Sequence, residues 1–216
     1  MESAQARREA HIHYIAAFVG GWLGLFPLVN ASHLFGSAQT INLTELVIQI
    51  IGANGTAVLF HALGLFLYAF AIFLVTILQK KTRLDVRYLA LLIDAVVCVV
   101  MWLFPTNKDI PLLFYLYPTF FAMPFQWCAF AGAYGYKNST IFSSNNVRQF
   151  VSALTEVLCG DKSFALKAIF MGATLLGFYL GVIAGWLCWC FFDNTGFLFA
   201  LVPILCATIL LLTKPQ

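Results

Sequence analysis

Charge is what this sequence has least of. Only 10% of its 216 residues are Asp, Glu, Lys or Arg, against about 25% in an ordinary soluble domain. With 62% of the residues hydrophobic, so little solubilising charge excludes a water-soluble globule and points to lipid as the solvent. Catalytic signatures are missing as well. There is no HExxH, no GxSxG, no glycine-rich phosphate loop and no pair of acidic residues within the apolar runs. An enzyme is therefore not expected, nor a cofactor, nor a bound metal. The six cysteines, Cys98, Cys128, Cys159, Cys188, Cys190 and Cys206, form no CxxC pair and no Cys/His ligand spacing. Most sit inside apolar runs, where a free thiol acts as a small hydrophobe. Nucleic acid is not an expected partner, because the few basic residues are spread over loops at membrane edges, where anionic lipid is the usual neighbour.

What is present is a series of apolar runs of about 18 residues or more, long enough to cross a hydrocarbon core of about 30 Å. Transmembrane β-strands would appear as alternating segments of about ten residues. These runs are longer and apolar all round, so an all-α integral membrane protein is expected. Six spans fall at roughly 13–30, 56–79, 86–104, 111–136, 165–192 and 196–213. Two mixed segments, 35–52 and 138–162, are too polar to cross. On this map every one of the 12 Lys and Arg residues except Lys108 lies on one side, the bias expected when positive loops stay in the cytoplasm. The expectation is a multi-pass protein of the bacterial inner membrane with both termini cytoplasmic and membrane lipid around it. A cleaved signal peptide is the competing reading of residues 1–32, and the repeat described next argues against it by using that segment as structure.

The two halves echo each other. "FVGGWLGLF" from Phe18 lies over "FAGAYGYKN" from Phe130, and Leu43-Thr44-Glu45 recurs half a chain later as Leu154-Thr155-Glu156. Each half reads as span, amphipathic segment, span, span, with repeat one at about 12–105 and repeat two at about 110–214 of a single transmembrane domain. Three spans per half make the second enter from the opposite face, an inverted repeat of the kind that places a site at the bilayer midplane. Within 41–51, Leu43, Leu46, Val47, Ile50 and Ile51 follow helical spacing, and Val147, Phe150, Val151, Leu154, Val157 and Leu158 do so in the second copy. Asn42 with Glu45, and Asn146 with Gln149, have the spacing of a capping box. The two short helices either lie flat in the interface or are re-entrant, with positive N-terminal ends converging on a polar or anionic small solute.

Thr40, Asn42, Glu45, Asn146 and Glu156 are the solute-binding candidates on those helices. The spans add His61, Asp94 and Gln126, with Lys137 and Asn138 at the end of the fourth. A charge at a helix centre costs about 2.5–3.5 kcal/mol on insertion scales, so Asp94 must face protein or water. Its functional reading is a proton- or cation-linked site, and its structural one a hydrogen bond to a neighbour such as His61. His61 and Gln126 fit interhelical bonds equally well, capping accounts for Glu45, and snorkelling accounts for Lys137. Gly20 with Gly24, and Gly177, Gly181 and Gly185, form GxxxG faces for close helix packing, within the chain or in a homodimer. Such faces also support the other functional reading, a non-transporting protein that holds lipid or a partner.

The residues around the mixed segments resemble the YoaK-like family of bacterial membrane proteins, a domain of unknown function. Its first-half pattern, Gly-Gly-aromatic-x-Asp-Ala-aromatic and then Ala-x-x-Gly-Asn, is similar to "GGWLGLF" at 20–26 and "AQTIN" at 38–42. Its second-half Gly-x-Gln-Asn resembles "GYKN" at 135–138, and its third-span acidic residue has a counterpart in Asp94. Where the family has Asp, Gly and Gln, this chain has Gly24, Ile41 and Lys137. The resemblance implies the two-half architecture and no particular activity. If the Asp handles an ion or proton in relatives, this chain lacks that group.

Overall fold

The computed structural model describes residues 4–32, 34–105 and 112–213. Lys108, Lys214 and the first residue of the expected fourth span lie outside them. The described chain is helical apart from one short hairpin. α1 (Ala4–Pro27) passes into a π-helical turn, Leu28–Ser32. Pro27 has no N–H to offer the ladder, and the widened turn follows it directly. α2 (Gln39–Ile51), α3 (Gly55–Lys81) and α4 (Val86–Leu103) complete the first half. A 3-10 turn (Leu112–Tyr115) leads into α5 (Tyr117–Ala129), then the antiparallel pair β1 (Gly132–Ala133) and β2 (Tyr136–Lys137). α6 (Ser144–Leu158), α7 (Ala165–Phe192), a 3-10 segment (Asp193–Ala200) and α8 (Leu201–Leu212) follow.

Among the described residues, four stretches are long and apolar enough to cross a membrane: Ala4–Asn30, Gly55–Lys81, Val86–Leu103 and Lys162–Leu212. The last holds two helices. Asp193 takes a positive φ of 49°, and the 3-10 segment folds back so closely that a Cβ on Gly196 would lie 2.6 Å from the Cys188 carbonyl. The expected span 111–136 is corrected most. Its helix has 13 residues, about 20 Å by helical rise and short of a 30 Å core. Pro118 sits in its first turn and Pro124 in its interior. Beyond Ala129 the chain turns into the hairpin, with Tyr134 and Gly135 at φ 55° and 77°, as a primed two-residue turn demands. The apolar run "CAFAGAY" conceals that exit from the helix. α8 is likewise 12 residues, its expected first turns being 3-10.

Outward surfaces are apolar. On α3, Leu59, Leu63, Phe66, Phe70, Phe73 and Ile77 are all exposed, at the three- and four-residue spacing of one helix face. Water-soluble surfaces rarely carry so large an apolar patch; this one suits lipid. α1 forms the centre: its apolar stretch is 72% buried, against 22% to 39% for the other three. It packs on α7 and more lightly on α5 and α8, while α3 packs on α5, α2 on α3, α6 on α7 and α4 on α5.

Glycines set the α1–α7 distance. A Cβ on Gly181 would overlap the Phe18 carbonyl, one on Gly21 would overlap the Phe178 carbonyl, and one on Gly177 would lie 2.9 Å from the Tyr14 carbonyl. On α7 these close approaches involve Gly177 and Gly181, while Gly185 faces the Trp22 ring. On α1 the contact falls to Gly21, while Gly20 admits the Thr140 carbonyl and Gly24 the Phe35 ring.

Polar contacts gather certain helix ends together. The Arg8 guanidinium and the Tyr88 hydroxyl both donate to Leu211 O, at 3.4 and 2.9 Å. Arg87 pairs with Glu9 and Asp85, and Gln79 Nε2 donates to Cys128 O at 3.1 Å. The start of α1, the α3–α4 turn and the ends of α5 and α8 therefore share one end of the molecule. At the other, Tyr117 donates to Phe60 O and Asn194 to Phe104 O.

The Arg87 guanidinium and backbone N–H donate to Asp85 at the start of α4 and hold its carboxyl below the ordinary range. A depressed carboxylate stabilises the fold fully above its unfolded pKa of about 3.9, and that contribution is lost as pH falls through the folded value. Solvent screening at this exposed pair keeps it below about 1 kcal/mol. Asp85→Asn is thus expected to lower the thermal midpoint slightly at pH 7, with the difference from wild type gone at a pH of about 2. Tryptophan fluorescence melts across that range check it.

Candidate functional site

Two half-length helices build the site. α2 and α6 have 13 and 15 residues, roughly 20 Å each, and each doubles back against the long helix that follows it. Gly160, at φ 106°, makes the second reversal. α6 starts beside Phe178, Tyr179 and Val182, the middle of the 28-residue α7. On α2, Asn42 lies against Gly64 of α3, which puts the helix start about one turn further in, close to the middle of α3. α2 turns Ile41, Val47, Ile48, Ile50 and Ile51 outward, and its buried residues are the polar Gln39 and Asn42.

Neither expected capping box forms. α2 begins after Ala38 and α6 after Ser143, and neither start has a side-chain cap. Asn42 and Asn146 lie inside their helices, each 1% exposed. Asn42 Nδ2 donates to His61 O at 3.1 Å, and Oδ1 stands 3.0 Å from His61 Nδ1. Because the amide nitrogen must face the carbonyl, Oδ1 is the acceptor and His61 carries its proton on Nδ1. Asn146 Nδ2 donates to Ser139 O at 2.6 Å while Oδ1 accepts from Ser139 N at 3.2 Å. The two buried amides coincide in role, and the Leu-Thr-Glu match sets α2 and α6 about two turns out of that register. Asn42→Ala strands a buried imidazole N–H, at a cost of about 1–3 kcal/mol. The thermal midpoint is expected to fall by several degrees, by about 2–4 °C per kcal/mol at this chain length, whereas Thr44→Ala on the exposed face leaves it unchanged.

Both helix starts open on one cavity of about 790 Å³. Ala38 to Ile41 line it from α2 and Ser143 to Asn145 from α6, with Phe35, Trp127, Phe142, Phe178 and Tyr179 as aromatic walls. Ser37 Oγ donates to Ile141 O at 2.9 Å, tying the two approach segments together. Among the described residues no charged side chain lines this space. Gln39, 8% exposed, has partners for neither Oε1 nor Nε2 among the described residues. First-turn N–H groups without side-chain caps give both helix ends a partial positive charge. The cavity is therefore shaped for acceptor atoms, with apolar walls beside them. A second cavity adjoins it, sharing Trp127, Ser139 and Asn145.

Of the expected site residues, Thr40 lines the first cavity, and Lys137 and Asn138 line the second. Asn42, His61 and Asn146 stand behind the walls as paired supports. Asp94 is fully buried, and neither oxygen has a partner among the described residues. It lines neither cavity and does not bond His61. Gln126 is buried beneath the site, its Nε2 donating to Ala16 O at 2.7 Å. Glu45 is half-buried, Glu156 is exposed, and neither lines a cavity. Sequence reasoning missed Ser37, Gln39, Ser139, Ser143, Ser144 and Asn145. Their one signal was a run of small polar residues just ahead of each amphipathic stretch.

Residues 12–212 match a family described as "Protein of unknown function (DUF1275)", and the chain belongs to that family. No curated protein and no solved structure matches it.

Proposed function

We propose that this member of an uncharacterised family is a small-solute transporter or channel-like protein whose solute, polar or anionic, occupies the cavity between the starts of α2 and α6. The observation that carries the reading is the convergence of two uncapped helix N-termini on one uncharged, partly aromatic cavity, at mid-height of α3 and α7. On this reading α2 and α6 are re-entrant, and the chain crosses six times as two inverted halves, α5 and α8 each completing its span with the 3-10 segment before it. The packing supports it: exchanging each helix for its counterpart in the other half turns the α1–α7 contact into α5–α3, α2–α3 into α6–α7, and α4–α5 into α8–α1. With the termini cytoplasmic, the basic ends of α1, α3 and α4 all face the cytoplasm, as positive loops do. The likeness to the YoaK-like pattern fits the same two-half plan.

The other reading, a protein that holds lipid or a partner through its glycine faces, meets those faces already filled by the α1–α7 contact. A second copy would have to seat elsewhere. The test is flux through liposomes holding purified protein, over a panel of anionic and neutral polar solutes, with Asn145→Trp as the blocked control. If wild type and the blocked form are equally silent across the panel, the reading is wrong.

A further inference from the structure

The second cavity carries a charge pattern that passage of a solute does not require. It has a volume of about 620 Å³ and lies beside the β1–β2 hairpin, bounded by α3, α5, α6 and α7. Lys137, Arg148 and Lys167 line it and, among the described residues, no acidic one does. Among the described residues the side-chain ion pairs belong to Arg87, so these three cations lack a carboxylate. Arg148 donates from Nε and Nη2 to Asn145 Oδ1, at 3.3 and 3.0 Å, which orients the guanidinium without neutralising it. Lys167 Nζ stands 6.0 Å from the centre of the Tyr136 ring, a contact that likewise leaves its charge in place.

A buried neutral donor supplies an independent sign of a ligand. Asn138, on the same cavity wall, is 3% exposed. Its Oδ1 accepts from Ser139 N at 2.8 Å, while Nδ2 has no partner among the described residues. Leaving a buried amide donor unpaired is costly, and three cations with no nearby acid repel one another. Both penalties disappear when an oxyanion enters. We infer that this cavity is a binding site for a phosphate-type oxyanion, taken by Asn138 Nδ2 together with Lys137, Arg148 and Lys167. The group is carried either by a free anion or by an anionic lipid headgroup. The site does not depend on whether any solute crosses the protein.

Binding is measured on the full chain in nanodiscs. In phosphatidylcholine discs, inorganic phosphate is titrated by calorimetry at low and high salt. In parallel, discs with and without phosphatidylglycerol are compared by retained lipid in native mass spectrometry. The triple variant Lys137→Gln/Arg148→Gln/Lys167→Gln removes the charge. Asn138→Asp keeps the acceptor to Ser139 N and replaces the free donor by an acceptor; it is read independently of the triple variant. At least tenfold weaker phosphate binding in both variants, with a wild-type affinity that falls as salt rises, assigns the site to a free anion. Retention of phosphatidylglycerol by wild type and its loss in both variants assigns it to lipid. Phosphate and lipid binding equal in wild type and variants, or absent from wild type in both arms, overturns the proposal.

Discussion

Gly181→Val is expected to abolish the folded protein or to leave it melting far below wild type. The substitution acts on backbone rather than on a side chain that can move aside: a Cβ at 181 overlaps the Phe18 carbonyl, and the reciprocal contact of Gly21 with the Phe178 carbonyl locks the same crossing. Ordinary overpacking costs about 1–3 kcal/mol. Separating two main chains across the central contact should exceed that range, and for a chain of this length 3 kcal/mol corresponds to about 6–12 °C in thermal midpoint. Fluorescence-detected size exclusion after a heat series measures it. Gly55→Ala is the control, because a Cβ there meets nothing within 4 Å and alanine is the better helix residue by about 0.5–1 kcal/mol. Equal midpoints for Gly181→Val and Gly55→Ala would refute the account of the α1–α7 contact.

If the protein transports as proposed, the second large effect is on flux. Asn145 is exposed, so a larger side chain there does not disturb the core, and it borders both cavities. An indole at this position occupies the junction between them. Asn145→Trp is expected to cut flux at least tenfold while the thermal midpoint stays at the wild-type value. Asn145→Ala separates plugging from a lost hydrogen bond: it frees Arg148, which donates to the Asn145 oxygen, but leaves the junction open. Flux that survives in the alanine form and fails in the tryptophan form locates the passage. A tryptophan form as active as wild type would show that the solute does not go this way.

How much of this was legible beforehand differs from residue to residue. The glycine spacing on α7 is visible in the sequence, because close helix crossings in an apolar medium need small residues at fixed intervals, but which helix it meets is not. The amphipathic stretches were equally visible, since a 3.6-residue period survives without tertiary context. Their start points were not. Asn42 followed by Glu45 is indistinguishable in sequence from a capping box, and only the position of His61 shows that the amide serves a buried pair one turn inside the helix. In the sequence Asp94 stands out as a site candidate because charge in an apolar run is rare. Its distance from both cavities is set by the face α4 turns inward, which composition does not record.

The sequence by itself determined the solvent, the helical class and the existence of two short amphipathic helices. Each follows from local properties: apolar run length, the internal satisfaction of backbone hydrogen bonds in lipid, and residue period. Tertiary structure decided where the fourth run leaves its helix and which polar groups meet. Gln39 stands 100 residues before Ser139 in the chain, and Asn145 follows close after Ser139. They come together because α2 and α6 pack antiparallel to α3 and α7, and because those two long helices pack around α5 and α1. A site assembled from two such ends has no linear signature, since its geometry resides in the helix crossings.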